Sequence, residues 1–329
     1  MSAQARQPAR IVAVGDLHGD YSVWRDIAGA AGIVDARGRW AGGRTTLVQT
    51  GDFADRGPKT RAIIRDLRRL EREALGAGGR VIVLVGNHEA MNVIGDLRYV
   101  TPEEFQAFVD RKSEDRRETL YEQSRAAIEA AARAAPDGAN LKPQDIKAAW
   151  LHKTPLGWVE HRLAWSPIGE IGRWVASLPA VVRIDDTLFV HGGLSAEYSK
   201  LSVGQINDEV RAALRAAEQS PTSIISDELG PLWYRGLISR SPAAVEPRVL
   251  DPGRPAIEAE LDTVLGAYGA KRLVVGHTPS LAGIIVSNAG RLIRIDSGNS
   301  AYYGGQPGYV EIIGDRVVPH TVERSKPRR

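Results

Sequence analysis

The chain has 329 residues, and its 43% hydrophobic content is ordinary for a folded globular protein, so a sizeable core is available. Its 43 basic residues stand against 40 acidic ones with no long basic block, so nucleic acid is not an expected partner. With no cysteine there is no disulfide framework, thiolate nucleophile or Cys-ligated zinc, and no apolar run reaches the length of a bilayer crossing; the chain is expected to be soluble, without membrane insertion.

Ala3-Gln4-Ala5 has the small-x-small form of a signal cleavage site, which leaves two localisations open: periplasmic, as a mature exported form, or cytoplasmic. Arg10 to Val14 reads as a buried strand that releases Gly15-Asp16-Leu17-His18-Gly19 into a loop. Tyr21 to Ala31 has helical spacing, Thr45 to Gln49 is a second strand, and Arg61 to Ala74 is an amphipathic helix whose arginines between Arg65 and Arg72 read as a solvated face. Arg80 to Val85 is a third strand. From Thr101 to about Lys153 the chain turns charged and Ala-rich, with a break at Pro136-Asp137-Gly138. Residues 1–329 are therefore expected to form one α/β domain with a helical insertion at about 101–170. Val181 to Val190 reads as a hairpin turning at Asp185-Asp186, residues 200–218 as a helix, 220–255 as loop, Arg272 to Val275 as a strand, and Ile284 to Val318 as a meander of strands.

Five short segments each place a glycine and a metal-type ligand just past a predicted strand: Gly15-Asp16-Leu17-His18-Gly19, Gly51-Asp52-Phe53-Ala54-Asp55-Arg56-Gly57, Gly86-Asn87-His88-Glu89, His191-Gly192-Gly193 and Gly276-His277-Thr278. Taken singly each is a cap, a turn former or a core histidine. Jointly they are not, because core packing would favour Val and Ile at such positions. Carboxylate, amide oxygen and imidazole suit two divalent metal ions of intermediate hardness, Mn, Fe or Zn.

These segments resemble the calcineurin-like metallophosphoesterase signature, and more closely its phosphoprotein phosphatase family. Gly86-Asn87-His88-Glu89-Ala90-Met91-Asn92 and Gly230-Pro231-Leu232-Trp233-Tyr234-Arg235-Gly236 are similar to the Shewanella-like branch. The resemblance spans Ile11 to about Ser297. It implies a β-sandwich flanked by helices with the metal site at the carboxyl ends of the strands. It implies Asp16, His18 and Asp52 at one metal, and Asp52, Asn87, His191 and His277 at the other, with Asp52 as the bridge and a metal-bridging hydroxide as nucleophile. It assigns the general acid to His88, oriented by Asp55, and the phosphoryl clamp to Arg56; Arg235 rests on Trp-Tyr-Arg-Gly alone. Planar guanidinium suits the phosphoryl oxygens better than Lys does.

The expected activity is phosphomonoester hydrolysis by a protein phosphatase, on a phosphorylated protein or peptide or on a small phosphomonoester. A diadenosine polyphosphate or cyclic-nucleotide hydrolase on the same site is the alternative, and a scaffold that has lost its chemistry is disfavoured because the whole residue set is present. Asp96 and Arg98 either line the mouth or pair at a helix start. His152, His161 and His320 belong to no motif and read as surface or core. Trp150, Trp158, Trp165 and Trp174 read as packing for the insertion or, second, as a substrate groove.

Overall fold

The computed structural model describes residues 9–240 and 254–325; the Ala3-Gln4-Ala5 motif lies outside them. Two five-stranded sheets are built. In the first, β1 (Arg10–Val14), β2 (Thr46–Gln49) and β3 (Arg80–Val83) run parallel. On the other edge of β1 lie β9 (Gly308–Ile313) and then β10 (Arg316–Thr321), both antiparallel to their neighbour. The second sheet has the order β4 (Val181–Ile184), β5 (Thr187–Val190), β6 (Arg272–Val275), β8 (Leu292–Arg294), β7 (Ile285–Ser287), with β5, β6 and β8 parallel. The tail is thus no meander: β7 and β8 complete one sheet, and β9 and β10 cross to the other.

Alternation along the strands decides the layers. Ile11, Ala13, Val48, Ile82, Phe189, Val274, Ile293, Val310 and Ile312 form one cluster between the sheets. The intervening Val12, Val14, Leu47, Val83, Leu188, Val190, Leu273, Val275 and Leu292 point outward into a second core, shared with the helices. Both faces of the parallel strands are covered, which is why they read as continuous apolar runs.

The helices fit the sequence chemistry. In α1 (Tyr21–Ala30) the Asp20 carboxylate caps the Val23 N–H at 3.1 Å, and Val23, Trp24, Ile27 and Ala28 are buried. Trp24 donates its indole N–H to Asp66 of α2 (Thr60–Gly76) at 2.9 Å, tying two helices that share the core through Ile63, Ile64, Leu67 and Leu70. Between α3 (Asn87–Ile94) and β4 the chain is helical: α4 (Pro102–Gln106), α5 (Ser113–Ala134), α6 (Pro143–Lys153), α7 (Trp158–Trp165) and α8 (Glu170–Val175). Here His161 is buried against Phe105, Phe108 and Trp165, as core. Trp165 is buried too, Trp150 packs on Tyr121 and Trp174 on Phe53. Two further helices, α9 (Val203–Ala216) and α10 (Ile257–Tyr268), flank the second sheet. No described helix is long and apolar enough to cross a membrane.

Candidate metal centre and active site

Each parallel strand ends in a short loop at one edge of the sandwich, and the loops interlock. The Asp52 carbonyl accepts the N–H groups of both Leu17 and His18 at 2.9 Å, the Asp52 carboxylate accepts the His88 N–H at 3.0 Å, and the Asp16 carboxylate accepts the His277 N–H at 3.1 Å. These turns demand unusual backbone: His18, Asp52, Asp55, Arg56 and His277 all adopt positive φ. Such conformations cost of order 1–3 kcal/mol each and persist where the surrounding structure imposes them. Glycine is required where loops touch: a Cβ on Gly86 would sit 2.3 Å from Asp52 Oδ1, and one on Gly276 would sit 2.5 Å from Asp16 Oδ1.

Asp16, His18, Asp52, Asn87, His191 and His277 converge there, all buried. His18 Nε2 lies 3.9 Å from both Asp16 Oδ2 and Asp52 Oδ2. His191 Nε2 lies 2.9 Å from Asn87 Oδ1, 3.2 Å from His277 Nδ1 and 3.3 Å from Asp52 Oδ2. Ligand atoms of His18, Asp52 and His88 fall within 4.8 Å of one another, as do those of Asp52, His191 and His277. The donor set fits divalent cations. His18 donates Nδ1–H to the Ala54 carbonyl at 3.1 Å and His191 donates Nδ1–H to the Thr50 carbonyl at 2.8 Å, which leaves both Nε2 lone pairs facing the carboxylates. Acceptors crowded around His191 Nε2 have few protons to share, and a divalent cation held by these residues would satisfy them. His277 Nε2 is buried without a hydrogen-bond partner.

Electrostatics agree. Burial, helped by His88 and Arg56, lowers the His18 pKa to about 3, and burial, Arg235 and His191 hold His277 well below its usual range, so both imidazoles are neutral and free to offer a lone pair. Burial pushes on Asp52 to protonate, but the neighbouring His191 and His88 outweigh it and hold its carboxyl well below the usual carboxylate range. Asp16 is raised by burial and by the neighbouring Asp296 and Asp52, a repulsion that a cation would relieve.

Beside this centre, His88 Nδ1 bonds Asp55 Oδ2 at 2.6 Å, and its Nε2 lies 3.8 Å from Asp52 Oδ2 and 3.4 Å from Arg56 Nη2. Burial pulls the His88 pKa down, but Asp52 and Asp55 more than compensate and the net shift is upward. The Arg56 guanidinium lies over the rings of Tyr99, Tyr302 and Tyr303 at 4.5, 4.9 and 5.1 Å. Arg235 faces Asp16 and Asp52, and its Nη1 donates to the His277 carbonyl and to Thr278 Oγ1, both at 2.9 Å. Asp96 and Arg98 pair with each other on the surface, at 2.9 Å.

Sequence reasoning gave no role to four kinds of residue found here. Glu89 is wholly buried and its carboxylate accepts the N–H groups of Asp52, Gly86 and Ala54 at 2.8, 2.9 and 3.0 Å, pinning two ligand loops together. Asn92, one helical turn after His88, donates to Asp55 Oδ1 at 2.8 Å. Asp296 lies past the end of β8 next to Asp16, and burial and Asp52 raise its pKa to about 6. Its signal was present, a strand followed by Asp-Ser-Gly, but it was hidden in a tail read as alternating strands. The tyrosines around Arg56 come from segments distant in sequence.

The calcineurin-like phosphoesterase family model matches residues 9–281. Shewanella-like protein phosphatase 2 of Arabidopsis thaliana is 33% identical, covering 97% of this chain and 78% of its own length. Shewanella-like protein phosphatase 1 of Plasmodium berghei is 27% identical, covering 96% and 76%. The crystal structure of a cold-active protein-tyrosine phosphatase of a psychrophilic Shewanella species superposes with a TM-score of 0.67 at 27% identity, over 96% of this chain and 81% of that one. The chain therefore belongs to the calcineurin-like phosphoesterases, on their Shewanella-like protein phosphatase branch, and is a metal-dependent phosphate-ester hydrolase.

Proposed function

We propose that the chain is a protein phosphatase with two divalent ions, Mn, Fe or Zn, in one catalytic domain that carries the helices of about 101–170 as an insertion. Asp16, His18 and Asp52 would hold one ion, and Asn87, His191 and His277 would hold the other with Asp52 shared. Such ions supply charge neutralisation at the phosphoryl group and lower the pKa of a water nucleophile. The chain's own part is acid and clamp. As the phosphorus–oxygen ester bond breaks, the proton on His88 Nε2 passes to the departing oxygen, while Asp55 keeps the opposite nitrogen protonated and the ring in place. Arg56 and Arg235 would hold the phosphoryl oxygens.

The observation that carries this reading is the 2.6 Å His88–Asp55 pair set against the Asp52 carboxylate, which gives a leaving group a proton donor beside the cation site. Phosphotyrosine is the proposed side chain. A groove of about 490 Å³ lined by His18, Tyr21, Arg56 and Tyr302 offers an aromatic wall to a phenyl ring, and the Shewanella neighbour is named a protein-tyrosine phosphatase. Purified protein should hydrolyse phosphotyrosine peptides faster than phosphoserine or phosphothreonine peptides, and p-nitrophenyl phosphate faster than its bis-ester or a dinucleotide. Preference for the diesters would remove the monoesterase reading. Preference for phosphoserine would remove only the choice of side chain.

A further inference from the structure

The arginines of α2 do not simply face solvent. Arg61, Arg65, Arg68 and Arg72 recur on one face of the helix and form one wall of a groove of about 960 Å³. The groove floor is apolar, with Ala62, Ile64, Phe108, Ala164 and Ile171, and its opposite side comes from α4 and α8. Like charges spaced three and four apart disfavour a helix, and the contrast within α2 is direct. Arg69, off this stripe, is neutralised by Asp66 and Glu73. On the stripe only Arg68 has a carboxylate partner among the described residues, the exposed Glu170 at 2.6 Å, while Glu71 stands near Arg68 and Arg72 and bonds Trp174. Arg61 donates to the Ala107 carbonyl and lies over Phe108. Exposed Arg65 and Lys59 have no carboxylate partner among the described residues.

Pro58 and Lys59 line both this groove and the one that reaches His18 and Arg56, so the two meet at the mouth of the site. From Arg61 to Arg72 the stripe runs about 16 Å at ~1.5 Å per residue. That is the length of roughly five residues of extended peptide. We propose that this groove binds an acidic peptide segment flanking the phosphorylated residue, so that substrates with Asp or Glu beside the phosphoresidue are selected. The inference rests on the reading of the chain as a protein phosphatase. An apolar floor with cations on one wall suits a peptide that has both side-chain and carboxylate contacts, whereas Glu103 and Glu170 among the lining residues would repel the continuous phosphates of a nucleic acid.

The test compares phosphopeptides with acidic, neutral and basic flanks, using p-nitrophenyl phosphate, too small to span the groove, as the reference for each variant. The acidic peptide should be favoured, and the preference should shrink in high salt. In the double variant Arg65→Glu, Arg72→Glu, the ratio of kcat/KM on the acidic peptide to that on the reference should fall about tenfold through KM. Glu170→Gln, which releases Arg68, should raise that ratio. Fluorescence anisotropy of an unphosphorylated acidic peptide should weaken and tighten in the same two variants. Unchanged ratios overturn the groove, as does a single-stranded oligonucleotide that competes as strongly as the peptide. Equal cleavage of all three peptides sinks the groove and leaves the phosphatase reading standing. Turnover of the reference with no phosphopeptide cleaved sinks both.

Discussion

Three backbone N–H groups meet on one buried carboxylate at Glu89, and all three belong to the loops that carry Asp52 and Asn87. A Gln there would turn an NH₂ toward an N–H donor, so Glu89→Gln should lower stability by about 1–3 kcal/mol. Divalent-ion affinity, measured by titration of the stripped protein, should fall roughly 10- to 100-fold. At His88 the leaving group decides the outcome. His88→Asn should slow an alkyl phosphate by about 10²–10⁴-fold and an activated aryl ester much less; equal losses on both would remove its role as the acid. At Glu104 burial is the largest influence, ahead of the Thr60 hydrogen bonds that oppose it. Its Oε2 accepts the Thr60 N–H at 3.2 Å, and burial pushes its pKa up to about 7. The folded pKa lies above the unfolded one, so its contribution is fully present below about pH 4 and is lost as the pH rises through 7. Glu104→Gln should therefore raise the Tm at about pH 8 and flatten the fall in stability between about pH 5 and 8. An unaltered slope would show that another group is responsible.

At the level of elements, burial is uneven. The long α5 buries only Ser113 and Tyr121, and α6 buries only Ile146, whereas β5 and β6 are buried throughout. Local opening free energy follows buried apolar contact, so amides of α5 and α6 should exchange with deuterium well before those of β1, β2, β5 and β6. The same unevenness explains what the sequence made legible. β1, β2 and β6 are apolar runs stopped by glycine, and α2 carries Ile63, Ile64, Leu67 and Leu70 at helical spacing, so both kinds could be read locally. The ligand loops were legible for the same reason, since each follows a strand directly. Partner choice was not legible: period-two alternation in the tail is satisfied by either sheet, and the pairing of β9 with β1 depends on residues some 300 positions away. Asp296 was lost with that misreading. The groove beside α2 was lost because an arginine face looks the same on paper whether or not α4 and α8 stand opposite it.

For the whole molecule, the centre is a concentration of ionisable groups in a dry place. Asp16 and Asp296 are both pushed toward protonation by burial and by neighbouring carboxylates, and cations would reverse that. Removing divalent ions with a chelator should lower the Tm, and re-adding Mn should restore it, since a ligand held only by the folded state stabilises it by mass action. A Tm indifferent to chelator would mean that the cluster folds without cations.

The bond from the His277 N–H to Asp16 joins residues 261 positions apart. The two halves of the centre are thus written far apart along the chain. At roughly 5–20 residues per second on the ribosome, some 13–50 s separate the emergence of the two. Through that interval the nascent protein carries Asp16, His18 and Asp52 without the full pair of imidazoles, His191 and then His277, that the second sheet brings to face them. On the roles proposed above, catalytic competence therefore waits for the last of these residues to be made and to fold into place.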